Sequence, residues 1–450
     1  MYKKPGRLQG RALYATIKRI LSEGRVKKMA DLFRSKGLKC LLTALLVLSL
    51  ALAFCALPGL AVRAEAGSAA GAQWRDIKDV IAGEGFTVAL REDGKVLYTG
   101  DDFSGVGQRI RSWDGIERIE LQGWQSYLVG YREDGSLRLE ALLDREQYGY
   151  SDLWSEKDLA SWSGVEQLYL DYGVCLGLTR AGRVLAISRD PEYDGLCREL
   201  SSWRGIRQLG DVGYGLVLGL REDGTVTCAA IDDEIGNGAR AFWADRNAPK
   251  HIRDLVPGAY GLYVIDENGT VVYGLFGQVW TNIDRLYFAS DSMFGLRRDG
   301  TVAVDQEASQ WDDRIARVGE WTHIKELGFD ITGIARYVPV GLREDGTVCA
   351  ITEYEDGEPY GWWDFTGWRD VQKLFSGTDC TVGVRSDGSV LVTGGEFGAL
   401  DFQDEIARWK DIRAIYFAVG EFTDHVVGLK TDGTLVAAGD NSLGQCNVTG

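Results

Sequence analysis

An all-β array of the propeller type is predicted for this chain by three observations. One phrase recurs nine times, its period is near 40 residues, and each copy pairs strand-length apolar runs with a tight-turn signal. The phrase is Trp-x-x-Ile/Val-x-x-Leu/Ile/Val. It begins at Trp74, Trp113, Trp162, Trp203, Trp280, Trp321, Trp368 and Trp409, and a ninth copy has Pro249 where Trp is expected. Start-to-start spacings run from 31 to 49 residues.

Three segments precede or make up the array. Residues 1–39 hold 12 Lys/Arg against Glu23 and Asp31, a net charge of +10. Cys40 to Val62 then forms an apolar stretch with no charged side chain, long enough to cross a bilayer as an N-terminal hydrophobic helix. Positive charge before it and the small Ala64-Glu65-Ala66 step after it also match a secretory signal peptide. Residues 40–66 thus read as a signal peptide or a single transmembrane anchor, and translation starts at Met1 or Met29. Either way residues 1–39 stay cytoplasmic and 67–450 are exported, secreted or held at the cell surface. Phe54 before Cys55 is too bulky for a lipoprotein cleavage site. Residues 67–450 carry a net charge near −26 within a total of −16. Such a surface repels nucleic acid and anionic lipid, and membrane contact is expected only through residues 40–62.

Within each repeat the order of elements follows from the residues. Runs such as Phe86–Leu90 and Leu216–Leu220 are short, apolar and bounded by turn signals, which reads as buried strand. Asp-Gly follows at Gly94, Gly135, Gly224, Gly300, Gly346, Gly388 and Gly433, with Asn268-Gly269 and Ala181-Gly182 in the other two copies. Asp or Asn before Gly supplies the positive φ of a hairpin turn. A second apolar run closes the hairpin, and the Trp phrase adds one large ring per repeat at a fixed place. No single repeat can bury both faces, so neighbours must stack and a closed ring limits free edges.

The last copy reads Asp424-His425-Val426-Val427-Gly428-Leu429, Asp432-Gly433-Thr434-Leu435, Gly439-Asp440-Asn441 and Gly444-Gln445-Cys446. On these motifs the chain resembles the regulator-of-chromosome-condensation repeat family, in its bacterial exported form, over residues 74–450. The resemblance implies a β-propeller of four-stranded blades. Members usually make seven blades, and nine repeats here allow seven to nine; the copy at 249–279 is short for a full blade. Earlier copies lack the Gly-Gln-Cys tail, which in the family precedes the next Trp. Leu443–Val448 is therefore expected to complete, as a strand, the blade begun at Trp74.

Nothing in the sequence assembles a catalytic, cofactor or metal constellation. The recurring Asp-Gly acids share one register, which assigns them to turns. His251, His323 and His425 are read at unmatched positions with no metal-ligand spacing, and His425 stands where the resemblance places a structural strand histidine. No GxSxG, HExxH or P-loop motif occurs. The acidic run 352–358 misses the order of a calcium loop. Cys228 and Cys349 share one repeat position, as small apolar side chains would, and no cysteine pair has CxxC spacing. Asn268 and Asn447 match glycosylation sequons, the former at a turn.

Insertions fall after the Asp-Gly hairpin and before the next Trp, so they open on one side or rim of the ring. Several combine acids with Trp and Tyr, the residue types that anchor interfaces. The candidate binding residues are Trp362, Trp363, Tyr360, Tyr354, Trp243, Trp154 and Tyr150. The expected function is a monomeric, non-catalytic scaffold that binds a protein or a cell-wall polymer through these loops. The alternatives are a glycan-active enzyme with paired carboxylates, or nucleotide exchange on a GTPase as in eukaryotic relatives.

Overall fold

The computed structural model describes residues 74–102, 105–122, 126–142, 154–170, 173–211, 216–231, 234–258, 261–273, 280–289, 292–305, 312–332, 336–353, 363–378, 380–394, 402–418 and 425–449. The basic segment and the expected N-terminal hydrophobic helix lie outside them. Among the described residues no helix is long and apolar enough to cross a membrane.

Nine antiparallel sheets of three strands each follow one another along the chain, every one in sequence order. In blade 1 the strands are Ile77–Gly83, Phe86–Arg91 and Val96–Gly100. At every junction but that of blades 3 and 4, the first strands of successive blades lie beside one another, including those of blades 9 and 1. Among the described residues each blade has three strands, where four were expected. A short helix packs against the third strand instead in blades 1, 2, 3, 4, 6 and 8, at Val106–Arg111, Glu156–Leu159, Asp194–Ser201, Glu234–Ala244, Asp313–Val318 and Gln403–Ile406. Most insertions thus place a short helix against the third strand, and among the described residues blades 5, 7 and 9 have none. The short copy at Pro249 still makes a full three-stranded blade.

The repeat phrase becomes strand by means of a bulge. Apolar residues three apart point to opposite faces of a regular strand. In all nine blades the register slips between the Ile/Val and the second residue after it, as between Ile77 and Asp79. The extra residue returns the next apolar position to the same side, so Ile77 and Val80 are both buried in one cluster.

The residue just before that Ile/Val has positive φ in every copy. It is Asp76, Gly115, Gly164, Gly205, His251, Asn282, His323, Asp370 or Asp411, with φ between 55° and 69°. Only the residue types that tolerate the left-handed region occupy it. His251 and His323 therefore stand at matched positions, which corrects the expectation that the histidines are unrelated. Their common feature is a backbone conformation.

One hydrogen bond per junction ties the blades into a circuit. The amide of the phrase Ile/Val donates to the carbonyl of the turn glycine one blade back: Ile116 to Gly94, Val165 to Gly135, Ile206 to Gly182, Ile252 to Gly224, Ile283 to Gly269, Ile324 to Gly300, Val371 to Gly346 and Ile412 to Gly388. Ile77 N donates to Gly433 O at 3.0 Å and closes the circuit between blades 9 and 1. Nine apolar clusters span neighbouring blades in the same cyclic order, the last joining Trp74, Ile77 and Ala89 to Val427, Leu429 and Val448.

The C-terminal segment takes part in closure without forming a strand. Thr99 Oγ1 donates to Gly444 O at 2.7 Å and Thr87 Oγ1 to Gln445 O at 2.8 Å. The single hydroxyl proton of Thr87 is used there, so at the 2.9 Å contact His425 Nε2 is the donor. Thr87, His425, Gln445 and Val448 are all fully buried.

The phrase Trp stacks on a glycine of its own second strand. A Cβ added at Gly130, Gly177, Gly219, Gly295, Gly341, Gly383 or Gly428 would lie 2.6–3.0 Å from the indole. Blade 1 carries Ala89 at this place. Where Pro249 replaces Trp, the partner position is Val264, fully buried. Indole and side chain trade volume across the contact.

Candidate functional site

The described members of the aromatic loop set are buried in the rim. Trp154 is 3 % exposed, Trp243 8 % and Trp363 4 %. Trp154 N donates to Tyr127 Oη at 2.8 Å, and Arg189 covers its ring at 4.4 Å. Trp363 Nε1 donates to buried Asp330 at 3.0 Å, and Thr381 Oγ1 donates to the same oxygen at 2.9 Å. These three tryptophans fill the space between blades and are not exposed. Blade edges need covering, and the largest side chains in the insertions do it. Tyr150, Tyr354, Tyr360 and Trp362 lie outside the described residues. Phe242, 40 % exposed and edge-on to Trp243 at 5.0 Å, is a large apolar side chain left open on the rim.

A pocket of about 600 Å³ lies against the first strands of four consecutive blades. It is formed where the first strands of blades 8, 9, 1 and 2 end, by residues 376–378, 415–418, 79–82 and 119–121. Three of these four contributions include the second apolar position of the phrase, as Val80, Ile119 and Ile415. Its walls are mainly apolar, with half-buried Ile81, Leu121 and Phe417.

Two carboxylates reach this pocket, and they differ in their partners. Arg118 donates to Glu120, and so does Gln122 Nε2. Arg118 is itself held, stacked 3.7 Å over the Tyr131 ring and donating to Glu166 O in blade 3 at 2.7 Å. Asp79 has no ion pair among the described residues. Its Oδ1 accepts from Val80 N at 2.9 Å and from Tyr416 Oη at 3.4 Å. Burial raises the Asp79 carboxyl above the ordinary range, against the lowering effect of the Val80 and Tyr416 bonds. Burial and then the Asp79 charge push Tyr416 up to about 12.

Other polar side chains join blade to blade. Arg207 donates to Ile252 O and Arg253 O, Arg253 to Asp284 O, Arg285 to Lys325 O and Arg413 to Ile77 O. Tyr169 donates to Leu209 O. The turn acids are engaged as well. Asp134, Asp223, Asp299, Asp345, Asp387 and Asp432 are each held below the ordinary carboxyl range, by the hydroxyl and then the amide of the Ser/Thr two residues on. Among the described residues no group of three His, Cys, Asp or Glu could hold a metal ion, and Cys175, Cys197, Cys228 and Cys349 are thiols outside any disulfide.

Sequence reading missed the pocket because its acid stands in a variable place. The position of Asp79 holds Arg118, Gln167, Gln208, Asp254, Arg285, Glu326, Lys373 and Ala414 in the other blades. Only the ring order brings Asp79 beside Tyr416, 337 residues away.

No protein-family model matches the chain, and no curated protein matches it. Solved structures similar to it include the computationally designed Ika8 protein, at 13 % identity over 82 % of this chain and 97 % of that one, TM-score 0.35. The C-terminal domain of gp131 from bacteriophage phiKZ is similar at 12 % identity over 76 % and 98 %, TM-score 0.35. Prp20p of Saccharomyces cerevisiae is similar at 16 % identity over 72 % and 73 %, TM-score 0.27. At these scores the ring rests on its own hydrogen-bond circuit, and the resemblance to chromosome-condensation repeats rests on the motifs.

Proposed function

We propose that this protein is a non-catalytic binding ring, exported or held at the membrane by residues 40–62, that takes a protein partner at the pocket against these four strands. The observation that carries this reading is the pocket itself: an apolar cup of about 600 Å³ containing one carboxylate, Asp79, with no ion-pair partner among the described residues. Concave apolar sites with a few placed polar groups are where ligands bind. A hydrolase with paired carboxylates needs two acids free to act across one gap. Glu120 is engaged by Arg118 and Gln122, which favours binding over that chemistry. The insertions, expected to be the binding surface, have a structural use in covering the blades.

Capture of the tagged full chain from solubilised envelopes of producing cells tests this. Ile81→Arg, which fills the pocket, should lose a partner that Phe242→Ser on the rim retains. Loss with Phe242→Ser alone would move the site to the rim, and turnover of a wall glycan would overturn the non-catalytic reading.

A further inference from the structure

The pocket has a chemistry narrower than apolar. Asp79 Oδ1 already accepts from Val80 N and Tyr416 Oη, while Oδ2 has no hydrogen-bond partner among the described residues. The neighbouring acid, Glu120, is engaged through both oxygens by Arg118 and Gln122. One acceptor oxygen is thus left for an incoming donor. It lies among Ile81, Leu121 and Phe417, which suit a hydrocarbon chain.

We propose that this pocket binds a primary ammonium group carried on an aliphatic stem, with Asp79 as its counter-ion. A guanidinium needs two parallel acceptors to use its planar fork, whereas an ammonium is a compact charge that can give one of its three donors to a single carboxylate oxygen and keep the others hydrated at the open mouth. The stem replaces water along the apolar wall, so each methylene buried adds to the affinity. The acidic body, near −26 over residues 67–450, draws cations to the ring from a distance. Burial acts on Asp79 in the matching direction, because a half-buried carboxylate disfavoured in its charged form gains most from a cation. The charged groups around it are Lys78 on its own strand, Arg118 and Glu120 on the strand of blade 2, and Arg413 with Tyr416 on the strand of blade 9. Both Lys78 and Arg118 act on Asp79 through space and neither is bonded to it. The same ammonium can come from a lysine side chain of a protein partner or from a free alkylamine. The inference rests on the reading of this pocket as the binding site.

Calorimetric titration of the full chain with n-hexylammonium, with 1-hexanol and with a blocked Gly-Lys-Gly peptide separates the outcomes. Hexylammonium should bind at least tenfold more tightly than hexanol. Asp79→Asn should abolish that difference, and Glu192→Gln, an exposed acid on blade 3, should leave it unchanged. The peptide should compete with hexylammonium; binding of the free amine alone would make the ligand a small amine. Equal binding of hexylammonium and hexanol would overturn the ammonium assignment while leaving the pocket as a binding site. Binding of neither would sink both. The wild-type comparison needs no variant, and the melting temperature of Asp79→Asn reports whether that variant has folded.

Discussion

Gly383→Val should destabilise the ring by about 3 kcal/mol, the upper part of the range for overpacked cores. A Cβ at this position would stand 2.7 Å from the Trp368 indole, and a branched side chain has no rotamer that avoids it. The chain contains its own control. Blade 5 has Pro249 in place of Trp and Val264 in place of glycine, so the same volume is supplied from the other side. Pro249→Trp alone should clash with Val264, and Val264→Gly alone should leave a cavity. The double variant should recover most of both losses, a coupling that neighbouring residues show and distant ones do not. Thermal unfolding of the four proteins measures it. Additive losses would mean that indole and valine do not share one space.

Deleting residues 441–450 should cost about 4 kcal/mol or more, from losing a buried valine and the carbonyls that two threonine hydroxyl groups bond. Val448 leaves the cluster that joins blades 9 and 1, and Thr87 and Thr99 lose the carbonyls of Gln445 and Gly444. The melting temperature should fall markedly. An unchanged value would show that the terminal segment is not a clasp.

The all-β class, the nine repeats and the Asp-Gly hairpins were legible because each copy repeats the same local physics, whereas the blade number stayed open between seven and nine. The glycine at Gly94 is where a hairpin turn needs positive φ, and an Asp before it names that turn. The left-handed position before each Ile was also written in the sequence, as Asp, Gly, Asn or His in all nine copies. Reading His251 and His323 as unrelated overlooked it. The spacing of three between apolar positions looks helical and becomes strand only through a bulge, which no periodicity announces.

The outer helices had a quieter signal. An apolar residue stands three before the Trp in six copies, and all but Phe365 lie in an outer helix: Ile110, Leu159, Leu200, Val318, Phe365 and Ile406. In each, the Trp amide donates to that residue's carbonyl. The buried fate of Trp154, Trp243 and Trp363 was not legible, since composition cannot tell an interface aromatic from one that covers an edge. The pocket depends on ring order and so was out of reach of any single repeat.

Closure into a nine-blade ring is the claim on which the pocket and its ligand stand. Native-state hydrogen exchange at the nine equivalent amides tests it most directly: Ile77, Ile116, Val165, Ile206, Ile252, Ile283, Ile324, Val371 and Ile412. In a closed ring the Ile77 amide, bonded to Gly433 O, is as protected as the other eight, within about tenfold. Exchange of Ile77 on the order of a thousand times faster than its counterparts, the behaviour of a frayed free edge, would contradict it.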